Sequence, residues 1–178
     1  NSPTPSIGDY LQGGIVFWID PNDNTKGLVC SPLQFTNAEW GCYLTTVNGA
    51  DGLGIGTGAQ NSIDIVNSNC QPYYSGSQIA AELCHTANFF GYSDWFLPSK
   101  DELLEIYHNK STINYFIASY GLGLFDLLND DWYWSSSEFT NKEAYRINLL
   151  DGQVHDNTSK NNYCNVRAIR SFDTSPSI

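Results

Sequence analysis

The chain has 178 residues and a net charge of -11 from 8 Lys+Arg against 19 Asp+Glu; 41% of it is hydrophobic, 14% aromatic and only 15% charged. Charged residues fall well below the ~25% of an average soluble domain, so amides, hydroxyls and tyrosines must cover the surface, and Asn and Ser occur 18 times each. Five Trp, eleven Tyr and nine Phe demand a packed interior and exclude disorder, while the acidic balance excludes nucleic acid and anionic membranes, which need a basic patch.

Residues 1–6 (NSPTPS) read as a linker or trimmed boundary, with no basic-apolar-small leader and no apolar run near the ~20 residues of a membrane span. Gly13–Ile19 is a strand, the turn Asp20–Asn24 ends it, and Lys26–Ser31 returns, so 13–31 reads as a β-hairpin. Asp20, Asn22 and Asn24 imitate the start of a calcium loop, but Thr25 stands where such a loop needs Gly and no Glu closes it. It is read as a turn, with calcium the minority alternative, and no cofactor is expected. Residues 48–58 carry five glycines without the spacing of a phosphate loop, and lead into a short helix over about 59–66.

Ser77 is placed as the cap of a helix running to Phe90, with Ile79, Leu83, Ala87 and Phe90 at helical spacing. After an extended Trp95–Leu97, Ser99 and Glu102 form a capping box for a helix over roughly 100–109. A third helical stretch, 113–120, ends at Gly121-Leu-Gly; the apolar Leu122, Leu124, Phe125 and Leu127 are either core or an oligomer contact. Then come a strand from Trp132 to Glu138, an alternating strand over 143–149, a tight turn at Asp151-Gly152, a return over 153–156 and a closing strand over 165–172. Helices in the middle with strands at both ends predict an α+β domain over 7–172, both termini in one mixed or antiparallel sheet with two to three helices between, and a tail over 173–178.

Five Cys without a C-x-x-C pair, and three scattered His, argue against zinc. Two local disulfides are attractive, Cys30–Cys42 and Cys70–Cys84, leaving Cys164 over; the alternative is five buried thiols in a cytosolic protein. His85 beside Cys84 imitates a Cys–His pair, which oxidation of Cys84 would disable.

Four blocks occur in order: GDYLQGGIVF (8–17), GYSDWFLPSKDEL (91–103), WYWSSSE (132–138) and VRAIRSF (166–172). Together they resemble the bacterial domain of unknown function found at the C-terminus of collagen-like adhesins, similar in fold to C-type lectin-like domains and to the formylglycine-generating enzyme. The resemblance runs from about Ile7 to Phe172. It implies a C-type lectin-like fold and a secreted, surface-displayed adhesin module, often at the tip of a trimeric fibre. It further implies sulfated polysaccharide ligands in the adhesins and, in related variable proteins, retroelement-driven diversification of the last strands.

The window from Phe139 to Asn165 holds the residue types that bind hydroxyl-rich ligands or protein surfaces: Phe139, Asn141, Tyr145, Arg146, Asn148, His155, Asp156, Asn157, Asn161, Asn162, Tyr163 and Asn165. Its few cations, Lys142, Arg146 and Lys160, are offset by Glu143, Asp151 and Asp156, so a neutral glycan or a protein receptor on a cell surface fits better than a polyanion. Trp95, Trp132 and Trp134 are expected in the core, and Arg167 and Arg170 are expected to pair with Glu102 or Glu138. The formylglycine-generating chemistry needs a reactive cysteine pair near the C-terminal end, where only Cys164 stands. The expected protein is non-catalytic, with a structural cap of a fibre, a homotrimer, as the alternative.

Overall fold

The computed structural model describes residues 3–74 and 76–178; of the expected linker 1–6, Asn1 and Ser2 lie outside the described residues. Strands β1 (Tyr10–Leu11), β2 (Gly14–Ile19) and β3 (Lys26–Cys30) open the chain. The hairpin β2–β3 pairs Ile15 with Cys30 and Ile19 with Gly27, with a bulge between Val16 and Trp18. Its turn consumes the calcium-like residues locally. Asp20 accepts Asn22 N at 2.8 Å, and Asp23 accepts Thr25 N at 3.1 Å and its hydroxyl at 2.5 Å.

After β4 (Phe35–Glu39) come helices α1 (Gly58–Asn67), α2 (Ala80–His85), α3 (Lys100–His108) and α4 (Lys110–Tyr120). Around α3 the capping box stands as expected: Ser99 accepts from Glu102 N, and the Glu102 side chain accepts Ser99 N at 2.8 Å. Helix α2 is much shorter than the predicted 77–90. Its N-cap is Ile79 with no side-chain cap bond, and past Thr86 the chain reverses in a tight turn in which Phe89 and Tyr92 exchange two backbone hydrogen bonds of 3.0 Å. Phe90 at φ 55° and Gly91 at φ 84° make that reversal, so the apolar spacing from Ile79 to Ala87 reports burial rather than a continuous helix, and Phe90 is exposed.

Strands β5 (Trp132–Glu138), β6 (Glu143–Asn148), β7 (Val154–Ser159), β8 (Tyr163–Val166) and β9 (Ile169–Asp173) follow. They form two sheets, ordered β1-β2-β3-β9 and β4-β8-β5-β6-β7. Both ends of the chain meet in the first sheet, as predicted, through antiparallel β3–β9 pairing from Lys26↔Asp173 to Cys30↔Ile169. The architecture is α+β. The expected single closing strand is in fact two, β8 and β9, one in each sheet. Arg167 clamps the point where the chain changes sheets: fully buried, it donates to Ser31 O at 2.6 Å and Asp126 O at 2.7 Å. Arg170 grips Asp94 through two bonds of 2.6 and 2.9 Å and lies 4.0 Å from the Tyr92 ring centroid. Neither arginine takes the expected Glu102 or Glu138, because those carboxylates are engaged locally. Glu102 caps its own helix and accepts Gly56 N at 3.0 Å, while Glu138 is bound by Lys160 Nζ at 2.7 Å.

Strand β5 is buried on both faces. Successive residues point to opposite sides of a strand, and Tyr133 enters the cluster of Ile15, Phe17, Leu103, Ile106 and Ile147 while Trp134 enters that of Trp40, Ile65, Ile79, Cys84 and Trp95. The bulge opposite Tyr145 uses the three serines structurally: Ser135 O accepts the Trp40 indole N–H, Ser136 N donates to Pro98 O, and Ser137 Oγ donates to Gly52 O.

The disulfide differs from both expected pairings: Cys42 bonds Cys70, with Cα atoms 4.9 Å apart, and Cys30, Cys84 and Cys164 are free and buried. Proximity in sequence misled here. Cys30 lies on the Ile15/Ile169 side of the core and Cys42 on the Trp40/Trp134 side, which separates the first expected pair; Cys70 packs against the same cluster as both Cys42 and Cys84, and there it is Cys42 that it meets.

Candidate functional site

The C-terminal strands assemble one polar-aromatic platform. Register places Trp134, Arg146 and His155 in a row across β5, β6 and β7, and Trp132 opposite Asn148 two residues along the same face. Trp134 is buried, as is Trp95, and Trp132 packs against the same cluster but is covered only in part. Half-buried, it lies with its ring centroid 4.0 Å from the Arg146 guanidinium carbon and 4.4 Å from the His155 ring. Arg146 forms no ion pair with a carboxylate among the described residues, and its buried Nε has no hydrogen-bond partner. An aromatic face supports a guanidinium without neutralising it, and the buried Cys164 thiol is a further neighbour of this cation.

The remaining predicted residues fall into three other places. Phe139, 48% exposed, stands edge-on to Tyr145 at 5.7 Å beside the turn that carries exposed Asn141. Asp156 and Asn157 are exposed on β7, the edge of the sheet. Exposed Asn162 and Tyr163 follow the crossover at Asn161, whose side chain accepts from Ser159 Oγ at 2.5 Å. Two residues have internal duties: Asn148 Oδ1 accepts Leu150 N at 2.9 Å in the hairpin turn, and Asn165, 7% exposed, donates to Asp131 at 3.4 Å.

Sequence reasoning missed a tyrosine cluster. Glu39, opposite Tyr163 in the β4–β8 register and buried, accepts the backbone N–H of Tyr73 at 2.9 Å and of Tyr74 at 3.2 Å. Tyr43, Tyr73 and Tyr74 then stack edge-on at 5.1 and 4.6 Å, with Tyr73 and Tyr74 strongly exposed. The signal was the placement of these tyrosines beside Cys42 and Cys70: the correct disulfide would have joined them.

The thiols offer no nucleophile. Burial pushes Cys30 and Cys164 up to about 11, outweighing the neighbouring Arg167 and Arg146 respectively, and pushes Cys84 further. A reactive cysteine needs a lowered pKa and access. Cys84 is fully buried while His85 is exposed, so they form no dyad. Among the described residues no group of three or more His, Cys, Asp or Glu could hold a metal ion, and no helix is long and apolar enough to cross a membrane.

No curated protein matches the sequence. Among solved structures, the chain is similar to a fimbrial protein from Bacteroides ovatus ATCC 8483, with a TM-score of 0.58 and 17% identity over 97% of this chain. It spans 46% of that protein, less than half its length, and the likeness is one of fold. The model of the Lcl C-terminal domain matches residues 35–170, from the first residue of β4 into β9 and across the platform. By that match over most of its length, the chain belongs to the Lcl C-terminal domain family.

Proposed function

We propose that the chain is a non-catalytic, surface-displayed binding module of adhesin type, secreted or extracellular, which holds a glycan or a protein receptor on its C-terminal strands and loops. The observation that carries this reading is Arg146, stacked on Trp132 beside His155 and without a carboxylate partner. Its donors suit the hydroxyl, carbonyl or acidic oxygens of a ligand, and the exposed Tyr163 and Tyr73–Tyr74 supply rigid contact area at low entropic cost. Membership of the Lcl C-terminal domain family and the fimbrial fold likeness support display at a surface. The Cys42–Cys70 bond supports an oxidising compartment. The C-type lectin-like classification belongs to the same proposal and draws on the meeting of both termini in one sheet.

The test is an array of neutral and sulfated polysaccharides, with calcium and chelator arms and Arg146→Ala and Trp132→Phe variants. Selective binding that falls at least about tenfold in Arg146→Ala, a loss of ~1.4 kcal/mol, supports the site. Binding untouched by both variants refutes it.

A second reading, a self-associating cap such as a homotrimer, is favoured by one surface. Leu122 is 86% exposed and Leu124 73%, beside the ring contacts of Tyr10 with Phe116 and Phe125. Contiguous exposed apolar surface of this kind marks interaction sites. Light scattering of the wild type against Leu122→Asp/Leu124→Asp decides it.

A further inference from the structure

A groove of about 600 Å³ lies on the N-terminal sheet, away from the platform. Its floor is a row across three strands, Trp18↔Leu28 on β2–β3 and Leu28↔Ser171 on β3–β9. One wall is the glycine-rich loop at Ile55 and Gly56, and Asp20 and Asp173 stand among its lining residues. That wall is held in place by α3: Ser99 Oγ donates to Gly54 O at 2.9 Å, Asp101 N to Leu53 O at 2.9 Å, and Gly56 N to Glu102 at 3.0 Å. A Cβ on Gly56 would meet nothing within 4 Å, so the groove is open at this point.

Trp18 differs from the core indoles. Trp40, Trp95 and Trp134 each give the ring N–H to a backbone carbonyl, whereas half-buried Trp18 gives its own to no acceptor among the described residues. The charges select the ligand class. Lys26 is held by Asp23 at 3.4 Å and also acts on Asp173, and Arg170 is held by Asp94 at 2.6 Å, so the carboxylates of Asp20, Asp23, Asp94 and Asp173 outnumber these two cations and set an acidic field. A polyanion is repelled there. A neutral ring with an apolar C–H face and hydroxyl donors matches an indole floor with carboxylate acceptors, within the size range of ligand sites.

We infer that this groove is a second binding site, for a neutral oligosaccharide. It is independent of the platform, and its floor strands β2 and β3 precede the family-matched segment 35–170. The test titrates cello-, malto-, manno- and xylohexaose, with chondroitin sulfate as the charged arm, against the 178-residue chain, following the Trp18 indole N–H by NMR. The expected result is a saturable shift with at least one neutral hexasaccharide at a Kd of about 1 mM or tighter. Read by calorimetric titration, since Trp18→Ala removes the indole reporter, Trp18→Ala should weaken binding at least about tenfold, as should Ser171→Trp, which fills the groove from an exposed position and spares the core. Arg146→Ala should leave this titration unchanged, which separates failure here from failure of the platform. No shift with any neutral sugar at ~10 mM, a shift with chondroitin sulfate alone, or a shift that survives Ser171→Trp would each overturn the inference.

Discussion

Replacing Lys160 by Met tests how the C-terminal crossover is held. Lys160 is fully buried; its ammonium lies 2.7 Å from Glu138 Oε2, donates to Thr45 O at 2.9 Å, and sits 4.7 Å from the Trp40 ring centroid. Burial lowers its pKa, opposed by Glu138. Met keeps the length of the stem and removes the charge, leaving the Glu138 carboxylate only 7% exposed with Val47 N as donor at 2.8 Å. Removing one partner of a buried pair costs about 3–5 kcal/mol, because the survivor is desolvated and uncompensated. For a chain of this size each kcal/mol shifts Tm by roughly 2–4 °C, so Lys160→Met should melt roughly 6–20 °C lower by circular dichroism. The double variant Lys160→Met/Glu138→Gln should recover part of that loss, since neither charge is then stranded. A single variant within ~1 kcal/mol of wild type in urea titration, or a double variant as unstable as the sum of the two, would refute the reasoning.

Thiol counting should find none of Cys30, Cys84 and Cys164 reactive in the native protein and three titrating after unfolding without reductant; one would restore the local pairings. Cys42→Ser/Cys70→Ser should cost about 3.5 kcal/mol by urea titration, the loop-closure value for a separation of 28 residues, and a loss under ~1 kcal/mol would remove that staple from the account. Gly58→Ala should destabilise by about 1–3 kcal/mol despite the better helix propensity of Ala. The added Cβ would lie 2.1 Å from Glu102 Oε1 and 2.8 Å from Ser99 N, and a stabilised variant would sink this explanation. Hydrogen bonding from Arg170 holds the Asp94 carboxyl below its ordinary 3.8. A depressed folded pKa stabilises above the unfolded value and loses that contribution as pH falls through the folded one. Asp94→Asn should therefore flatten the loss of stability below about pH 4, and an unchanged acid limb contradicts the pairing.

Local rules were legible wherever neighbours in sequence decide the outcome. The hairpin over 13–31, the capping box at Ser99 and Glu102, and the turn at Asp151-Gly152 each depend on residues a few positions apart. Their hydrogen bonds form within the segment itself, so residue type and spacing suffice. The meeting of the two termini in one sheet followed from the order of strands around the helices.

What the tertiary structure alone decided was which distant groups meet. The strand read over 165–172 divides between two sheets because Ser31 and Phe96 bond the backbone at Ala168 and Ile169, across more than 70 residues of chain. Cys70 finds Cys42 rather than Cys84, and the tyrosines beside them join through Glu39. Trp132 and Trp134 are two residues apart on one strand face, yet the fold covers Trp134 completely and leaves Trp132 beneath Arg146 and His155. Composition marked the C-terminal window as a candidate binding surface, but burial and pairing are properties of what lies across the chain, and spacing along it carries no record of them.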